Sequence, residues 1–419
     1  MKRRLTIAFV VIVAAAIAWA WFAGGVHQRP RVYNGPMVQM LAPEGFELAW
    51  QISPDQQTEV VVLAEDGATV GTFAARKADR STLPGQTRWQ ASVRGLYAGT
   101  AYRYRIVAKP RGGEVVAAEH RVHTAPRPGE PFRFLVIGDS GSGQRAQRQI
   151  ARLLPGWAPD FVLHAGDLIT PAGERELFPT RFFRPYADLM ASSPIYACLG
   201  NHDYLIERGQ PLLDTFLLPA NGPPGEQTGR HWWFDLGDAR FVAVDSNHDY
   251  PYFRDTVAPW LDKVLAGAGD RWKICLWHEP VYTNGDHYAP AAKLLMSLVP
   301  VVEKYHCSLV FSGHQHLYER SWPIRDGKIV GQGEGTVYIV TGAGGCNLYQ
   351  ARSPQSPFIA ACRDDQNSFT AVDVTSERLA LRQIGADGHI LDEYQIDTRK
   401  RQQMPRPQSQ SQGAAETPQ

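Results

Sequence analysis

Six side chains of the types that bind metal ions follow apolar runs in the chain. They are Asp139, Asp167, Asn201, His278, His314 and His316. Carboxylate, amide and imidazole groups together suit first-row divalent or trivalent metals better than Mg²⁺ alone. Six ligands are too many for one tetrahedral ion, so the pattern predicts two ions that share a bridging carboxylate. Two such ions can hold the oxygens of a phosphoryl group and activate water.

The elements that must position these side chains are predicted from the apolar runs themselves. Runs of four to seven apolar residues, separated by longer stretches, are typical of buried strands in an α/β domain. Segments 144–154 and 292–303 are predicted crossover helices. In such sheets ligands bind at the carboxyl ends of the strands, where the polar residues follow. The sequence therefore predicts that one edge of the fold gathers all six side chains.

The blocks that carry these residues resemble the five signature blocks of the calcineurin-like metallophosphoesterases. They are GDSG at 138–141, GD at 166–167, GNHD at 200–203, the single His278, and GHQH at 313–316. Gly141, where many members have histidine, is similar to the purple acid phosphatase branch, and so are GHQHLYERSWPI and the later TGAGG. The resemblance implies a four-layer α/β fold over residues 131–398, with two mixed sheets flanked by helices.

The resemblance also implies a role for each metal-binding side chain. The ligands of the first ion would be Asp139, Asp167 and His316. The ligands of the second would be the bridging Asp167, Asn201, His278 and His314. The ions would be iron, zinc or manganese, with the identity left open.

Two further histidines are predicted to contact the substrate, and one position departs from the family pattern of metal ligands. His202 would contact the substrate phosphate or help to protonate the leaving group, and His287 would be a second substrate-facing histidine. In purple acid phosphatases a tyrosine three residues after the bridging aspartate ligates ferric iron. That position is Thr170 here, and Gly141 does not supply the imidazole of other branches. The departure puts the metal identity in question more than the hydrolase activity.

Residues 30–126 have a different pattern, with apolar and polar residues alternating in segments separated by turns. Period-two alternation without a helical stretch predicts a small antiparallel β-sandwich. Residues 96–106 resemble the penultimate strand of fibronectin type III domains. Three prolines between residues 124 and 132 mark the predicted boundary.

The two ends of the chain carry predictions about location. Lys2, Arg3 and Arg4 precede an uncharged apolar run at 5–23, so residues 1–25 are predicted to be a signal peptide or a membrane anchor. Positive charge before the run places the rest of the chain outside the cytoplasm. The predicted location is the periplasm, the extracellular space or the outer side of the cytoplasmic membrane. Residues 399–419 are almost free of apolar side chains and are predicted to be disordered.

Composition narrows the class of protein. The chain has 419 residues, 20% charged and 44% hydrophobic, with a net charge of +1, which favours a folded protein without a polyanion-binding surface. No nucleic-acid partner is therefore expected. None of the five cysteines has CxxC spacing, which argues against a cysteine-built zinc site. Cys346 and Cys362 could form a disulfide in an exported protein, and that pairing is left open.

The predicted function is an exported phosphoesterase that hydrolyses small phosphate monoesters by attack of a metal-activated water. The motifs do not separate monoesters from diesters, so a phosphodiesterase or nucleotidase is the alternative. A cell-surface binding protein with a vestigial metal site is an alternative of another class. The sandwich could also recognise a polymer or an envelope component alongside catalysis.

Overall fold

The computed structural model describes residues 29–83, 85–110, 113–286, 295–353 and 355–398. The predicted N-terminal segment 1–25, the predicted disordered tail 399–419 and His287 lie outside the described residues. Within the described ranges no helix is both long enough and apolar enough to span a bilayer.

The N-terminal part of the chain folds into two four-stranded antiparallel sheets. Its strands are β1 (Arg31–Ala42), β2 (Gly45–Ser53), β3 (Thr58–Leu63), β4 (Thr69–Ala74), β5 (Arg76–Lys77), β6 (Trp89–Arg94), β7 (Ala101–Ala108) and β8 (Val115–His123). The strand orders are β1-β2-β6-β5 and β4-β3-β7-β8. Alternate residues point between the sheets, where Trp50, Trp89 and Tyr104 are buried. The small all-β unit is as expected, while its fibronectin-like character and its boundaries stay predictions.

Two larger mixed sheets follow. Their strands are β9 (Phe132–Ile137), β10 (Phe161–His164), β11 (Ile195–Ala197), β12 (Trp232–Leu236), β13 (Ala239–Ala243), β14 (Trp272–Leu276), β15 (Leu309–Ser312), β16 (Tyr318–Ser321), β17 (Ile324–Arg325), β18 (Lys328–Ile329), β19 (Val337–Thr341), β20 (Ile359–Arg363), β21 (Ser368–Val374), β22 (Arg378–Gly385) and β23 (Ile390–Asp397). The six-stranded sheet has the order β11-β10-β9-β21-β22-β23, and the seven-stranded sheet has the order β12-β13-β14-β15-β19-β16-β20. Strands β17 and β18 form a small separate hairpin.

The helices are short. They are α1 (Arg145–Leu153), α2 (Ala187–Met190), α3 (Asn201–Tyr204), α4 (Gln210–Thr215), α5 (Tyr250–Tyr252), α6 (Ala258–Ala266) and α7 (Val299–Lys304). Helix α1 lies within the first predicted crossover segment, and α7 overlaps the end of the second. Helical turns of other types are found at Leu154–Trp157, Arg175–Leu177, Pro179–Phe183, Glu207–Gly209 and Phe253–Val257.

The two mixed sheets pack face to face and carry helices on their outer faces. Phe134 of the six-stranded sheet and Phe241 of the seven-stranded sheet have ring centroids 5.1 Å apart in the shared core. Ile150 of α1 packs in that same core cluster, while Leu261 of α6 and Cys275 of the seven-stranded sheet belong to another buried cluster. The layer order is therefore helix, sheet, sheet, helix, and the predicted fold class is confirmed.

The parallel strands bring their carboxyl ends to one edge. Strands β9, β10 and β11 are parallel in one sheet, and β13, β14, β15 and β19 are parallel in the other. Loops that follow β9 and β15 touch at this edge, because the Cα atom of Gly313 lies 3.3 Å from where a Cβ atom of Gly138 would be. This edge is where a site assembled from both sheets must lie.

Candidate metal centre

Each predicted metal ligand lies just beyond a strand that ends at this edge. Asp139 follows β9, Asp167 follows β10, Asn201 begins α3 after β11, His278 follows β14, and His314 and His316 follow β15. The loops approach closely: a Cβ atom on Gly200 would lie 2.1 Å from Asp167 Oδ1, so only glycine fits there. The structure thus brings together all six side chains singled out from the sequence.

Four donor groups surround one point on the Asn201 side. Asn201 Oδ1 lies 3.0 Å from His278 Nε2 and 2.9 Å from His314 Nδ1. Asp167 Oδ2 lies 3.3 Å from His278 Nε2. Ligand atoms held about 2.1 Å from one ion are about 3.0 Å apart in an octahedron and about 3.4 Å apart in a tetrahedron. The observed separations therefore fit the edges of one coordination shell.

The Asp139 side offers a second set. His316 Nε2 lies 3.5 Å from Asp139 Oδ1, and Asp139, Asp167 and His278 each place one ligand atom within 4.8 Å of the others. The other nitrogen of each ring is engaged, since His316 Nδ1 donates to Asn347 O at 2.7 Å and His278 Nδ1 donates to Ala165 O at 2.7 Å. These bonds leave both Nε2 atoms facing the carboxylates, as a metal ligand requires.

Three of these side chains are held by strained backbone. The φ angles of Asp139, Asp167 and His314 are 54°, 53° and 66°, in the left-handed region that residues with a Cβ atom disfavour. Such strain of about 1–3 kcal/mol per residue persists only where the surroundings enforce it, and it clusters at functional sites.

The charge balance of this edge also fits cations. Asp139, Asp167, Asp203 and Glu279 are buried, and among the described residues no lysine or arginine pairs with them. Burial raises the pKa of Asp139, and burial together with the charge of Asp167 raises the pKa of Asp203 to about 7. Burial would lower the pKa of His278, but the neighbouring Asp167 and Asp139 hold it well above its usual value. Buried carboxylates that no lysine or arginine neutralises are stabilised by bound metal ions.

Asp203 ties two ligand-bearing loops together. Its Oδ2 accepts hydrogen bonds from the N–H groups of Leu168 and Gly200, both at 3.1 Å, and its Oδ1 accepts one from Ile169 at 3.2 Å. The carboxyl group therefore fixes the residue after Asp167 relative to the residue before Asn201. The structure thus shows which two loops Asp203 joins.

His202 is at the mouth of the site. Its N–H donates to Asp167 Oδ1 at 2.8 Å, and its ring Nδ1 donates to Pro171 O. Its Nε2 is then the free position, 3.9 Å from Asp167 Oδ2, and the side chain is 36% exposed. An imidazole held in this way can reach a bound substrate. The second predicted substrate-facing histidine, His287, is outside the described residues.

Thr170 and Gly141 stand where the family patterns have a tyrosine or a histidine, and neither supplies that ligand. Thr170 Oγ1 lies 3.3 Å from Gly141 O and 3.6 Å from Cys346 Sγ. A Cβ atom on Gly141 would lie 1.9 Å from Leu168 O, so this backbone excludes an imidazole there. Tyr349 lies on the same side of the site, stacked on His316 with ring centroids 4.0 Å apart. Cys346 and Cys362 are both free thiols, so the structure shows no disulfide between them.

A second group of possible ligands was missed from the sequence, where His231 and His248 had no identifiable partner. The structure places Glu226, His231 and His248 within 4.8 Å of one another. Positive charge is already present there, because Arg230 Nε lies 3.6 Å from Glu226 Oε1. The Asp245 N–H also donates to His231 Nδ1, so the proton of the neutral ring is on Nε2, the one ring nitrogen left for a metal. This group therefore suits a metal less well than the strand-end site.

Comparisons with protein families agree with the geometry. The calcineurin-like phosphoesterase family model matches residues 132–318, and the model of the iron/zinc purple acid phosphatase-like protein C-terminal region matches residues 335–393.

Individual relatives point the same way. Acid phosphatase type 7 of Mus musculus is 25% identical over 345 residues, which is 73% of this chain and 76% of that protein. The protein called probable inactive purple acid phosphatase 27 of Arabidopsis thaliana is 24% identical over 73% of this chain and 57% of its own length. The purple acid phosphatase structure from yellow lupin (Lupinus luteus) seeds superimposes with a TM-score of 0.76, at 19% identity, over 93% of this chain and 78% of that one. The last comparison shows the fold.

Proposed function

The chain belongs to the calcineurin-like metallophosphoesterases and carries a purple acid phosphatase-like C-terminal region, and from this we propose that it hydrolyses phosphate monoesters with two metal ions. It is a metal-dependent phosphoesterase by family and fold. Small phosphate esters are the proposed substrates.

The observation that carries the proposal is the convergence of six donor side chains from both sheets on one edge. One set, centred on Asn201, has donor separations of 2.9 to 3.3 Å, and a second is centred on Asp139. Asp167 lies between the two sets, because its Oδ2 is 3.3 Å from His278 Nε2, nearer than Asp139 Oδ1 at 4.0 Å, and it belongs to the group with Asp139. We therefore assign Asp167 as the bridge, as the resemblance implied.

The bound ions would supply positive charge for the phosphoryl oxygens and lower the pKa of the attacking water. The chain itself supplies their fixed positions, through Asp203 and the strained ligand loops, and a proton donor, His202. In the reaction a bond forms between the water oxygen and phosphorus, and the bond from phosphorus to the ester oxygen breaks. His202 Nε2 is positioned to hydrogen-bond a phosphate oxygen or to give a proton to the departing oxygen.

Zinc, manganese and iron all remain candidates for the ions. The donor set of carboxylate, amide and imidazole suits each of them. Thr170 offers no phenolate, so the ion beside Asp139 has fewer protein ligands than the family pattern provides. The missing phenolate puts ferric iron at that position in question and leaves zinc and manganese as the other candidates.

Export is proposed from the sequence of residues 1–25 alone. Lys2, Arg3 and Arg4 before an apolar run favour translocation of the following chain. N-terminal sequencing of the mature protein from a cell fraction tests this. A start near residue 25 supports cleavage, and an intact N-terminus in a membrane fraction supports an anchor. Recovery of the protein from the cytoplasm contradicts export.

Hydrolysis of p-nitrophenyl phosphate and of bis-p-nitrophenyl phosphate by the purified protein tests the substrate class. We expect turnover of the monoester to exceed turnover of the diester. The reverse order would replace the proposal with a phosphodiesterase. No turnover of either, with substoichiometric metal, would support a binding protein with a vestigial site.

A further inference from the structure

The loop that orients His202 runs from Asp167 to Arg175. Pro171 O in this loop accepts the hydrogen bond from His202 Nδ1, which fixes the ring and leaves Nε2 facing the site. Ile169 in the same loop is bonded to Asp203, one residue beyond His202. The position of this loop therefore sets the orientation of His202.

Arg175 anchors the far end of the loop through contacts with three segments. Its Nη1 donates to Thr82 O of the N-terminal sandwich at 3.0 Å and lies 2.8 Å from Asp214 Oδ2 of α4. Its Nε and Nη2 donate to the two carboxylate oxygens of Glu207, at 3.2 and 2.7 Å. The side chain is only 10% exposed. One guanidinium thus joins the sandwich, the loop after Asp167 and the segment that follows His202.

The segment that follows His202 needs such an anchor. Glu207 and Arg208 have φ angles of 49° and 53°, a left-handed conformation that is unfavourable for residues with a Cβ atom. Two hydrogen bonds from Arg175 attach Glu207, whose side chain is 54% exposed, to the loop after Asp167, since arginine matches the geometry of a carboxylate with two parallel donors.

The acceptor on the sandwich is itself fixed in place. Thr82 is buried, and its Oγ1 lies 2.8 Å from Thr215 Oγ1 at the end of α4. Arg88 Nη1 donates to Asp214 O at 2.7 Å, and Gln39 Oε1 accepts from the N–H of Leu217 at 2.7 Å. These contacts dock the sandwich beside α4, so the carbonyl group of Thr82 is a rigid support.

We propose that Arg175 is a positioning residue, through which the N-terminal sandwich holds the loop that orients His202. The expected effect of Arg175 on turnover rests on the proposed function, whereas its expected effect on the loop does not. The sandwich then has a role in catalysis and not only in recognition of a partner.

The full-length variants Arg175→Met and Arg175→Lys test the inference, with hydrogen exchange, bound metal and hydrolysis of p-nitrophenyl phosphate measured on each. In Arg175→Met we expect faster exchange in residues 168–177 and 200–209, with the metal content unchanged and KM within about twofold of the wild type. We expect kcat to fall by about tenfold or more, because a small misplacement of a reacting group is costly. Lysine should not restore the rate, since it lacks the paired donors. Glu207→Gln, a milder change, should give the same pattern to a smaller degree.

Arg240→Met is the matched control. Arg240 is also buried, donates to both oxygens of Asp235 at 2.7 and 2.8 Å and to Val264 O at 2.7 Å, but it lies away from His202 near the start of β13. Its loss should lower the melting temperature and leave kcat unchanged.

Unchanged exchange in residues 168–177 and 200–209 of Arg175→Met would overturn the inference, whether or not the wild type is active. An equal loss of kcat in Arg240→Met would also overturn it, because general destabilisation would then explain the result. A wild type that binds metal but hydrolyses no ester would contradict the proposed function instead, and exchange would still decide the role of Arg175.

Discussion

His278 Nε2 lies 3.0 Å from Asn201 Oδ1, so two hydrogen-bond acceptors face each other at the centre of the site. The other nitrogen of the His278 ring donates to Ala165 O, which leaves a lone pair on Nε2 when the ring is neutral. Two acceptors at this distance repel unless a proton or a cation lies between them. In the metal-free protein the neighbouring Asp167 and Asp139 raise the pKa of His278, so the ring keeps a proton on Nε2. A bound ion would replace that proton.

The bridge assignment predicts that Asp167→Asn loses metal and activity together. The amide removes the charge that both ions share, so the fall in metal affinity should exceed the 10–100-fold that loss of an outer hydrogen-bond partner costs. Elemental analysis after dialysis, alongside hydrolysis, measures both. Asp373→Asn is the control, because Asp373 pairs with Arg133 at the start of β9, the end of that strand opposite Asp139. Normal turnover by Asp167→Asn would refute the assignment.

His202 should be needed for turnover but not for the metals. We expect His202→Gln to keep its metal content and to lose about 10²–10⁴-fold in kcat, the usual contribution of a positioned acid or base. Inhibition by inorganic phosphate, measured in parallel, reports whether the variant still binds the product. Loss of metal from His202→Gln would show instead that this side chain is a ligand.

Glu319 should make the metal-free protein less stable as the pH rises. Burial raises the pKa of Glu319 to about 6, so the folded state keeps its proton where the unfolded state has lost it. The free energy of unfolding should therefore fall between about pH 4.5 and pH 6, by about 2 kcal/mol, and change little from this group above pH 6. Urea unfolding of the wild type and Glu319→Gln across this range measures the difference. Equal pH dependence in the two proteins would rule out this role.

The strand-end ligands could be predicted from the sequence because their pattern is local. Asp139 and His278 each follow an apolar run, and parallel strands place such residues at one edge whatever the details of packing. The four-layer arrangement came from the resemblance of those blocks to a family, since apolar runs alone do not say which sheet a strand joins.

Contacts between distant segments could not be predicted in this way. Arg175 binds the backbone carbonyl of Thr82, 93 residues away, and a carbonyl group leaves no trace in the sequence. The grouping of His231 with His248 could not be predicted either, because it depends on how the loop after β13 packs on β12.

Because Thr170 replaces the tyrosine of the family pattern, we predict that the iron-loaded protein lacks the visible absorption of a phenolate bound to ferric iron. No other tyrosine is placed by the family pattern to replace it, although Tyr349 stacks on His316. Visible spectra of the protein reconstituted with iron test this. A strong band that disappears in Tyr349→Phe would show that Tyr349 has taken the vacant role, and a band that persists would show another ligand.

The central claim is that this chain binds two metal ions and uses them to hydrolyse a phosphate ester. The most direct test is elemental analysis of the purified protein together with p-nitrophenyl phosphate hydrolysis across pH, as metal is removed with a chelator and restored. We predict about two ions per chain and turnover that falls and returns with them. One ion or none in a fully active protein would contradict the claim.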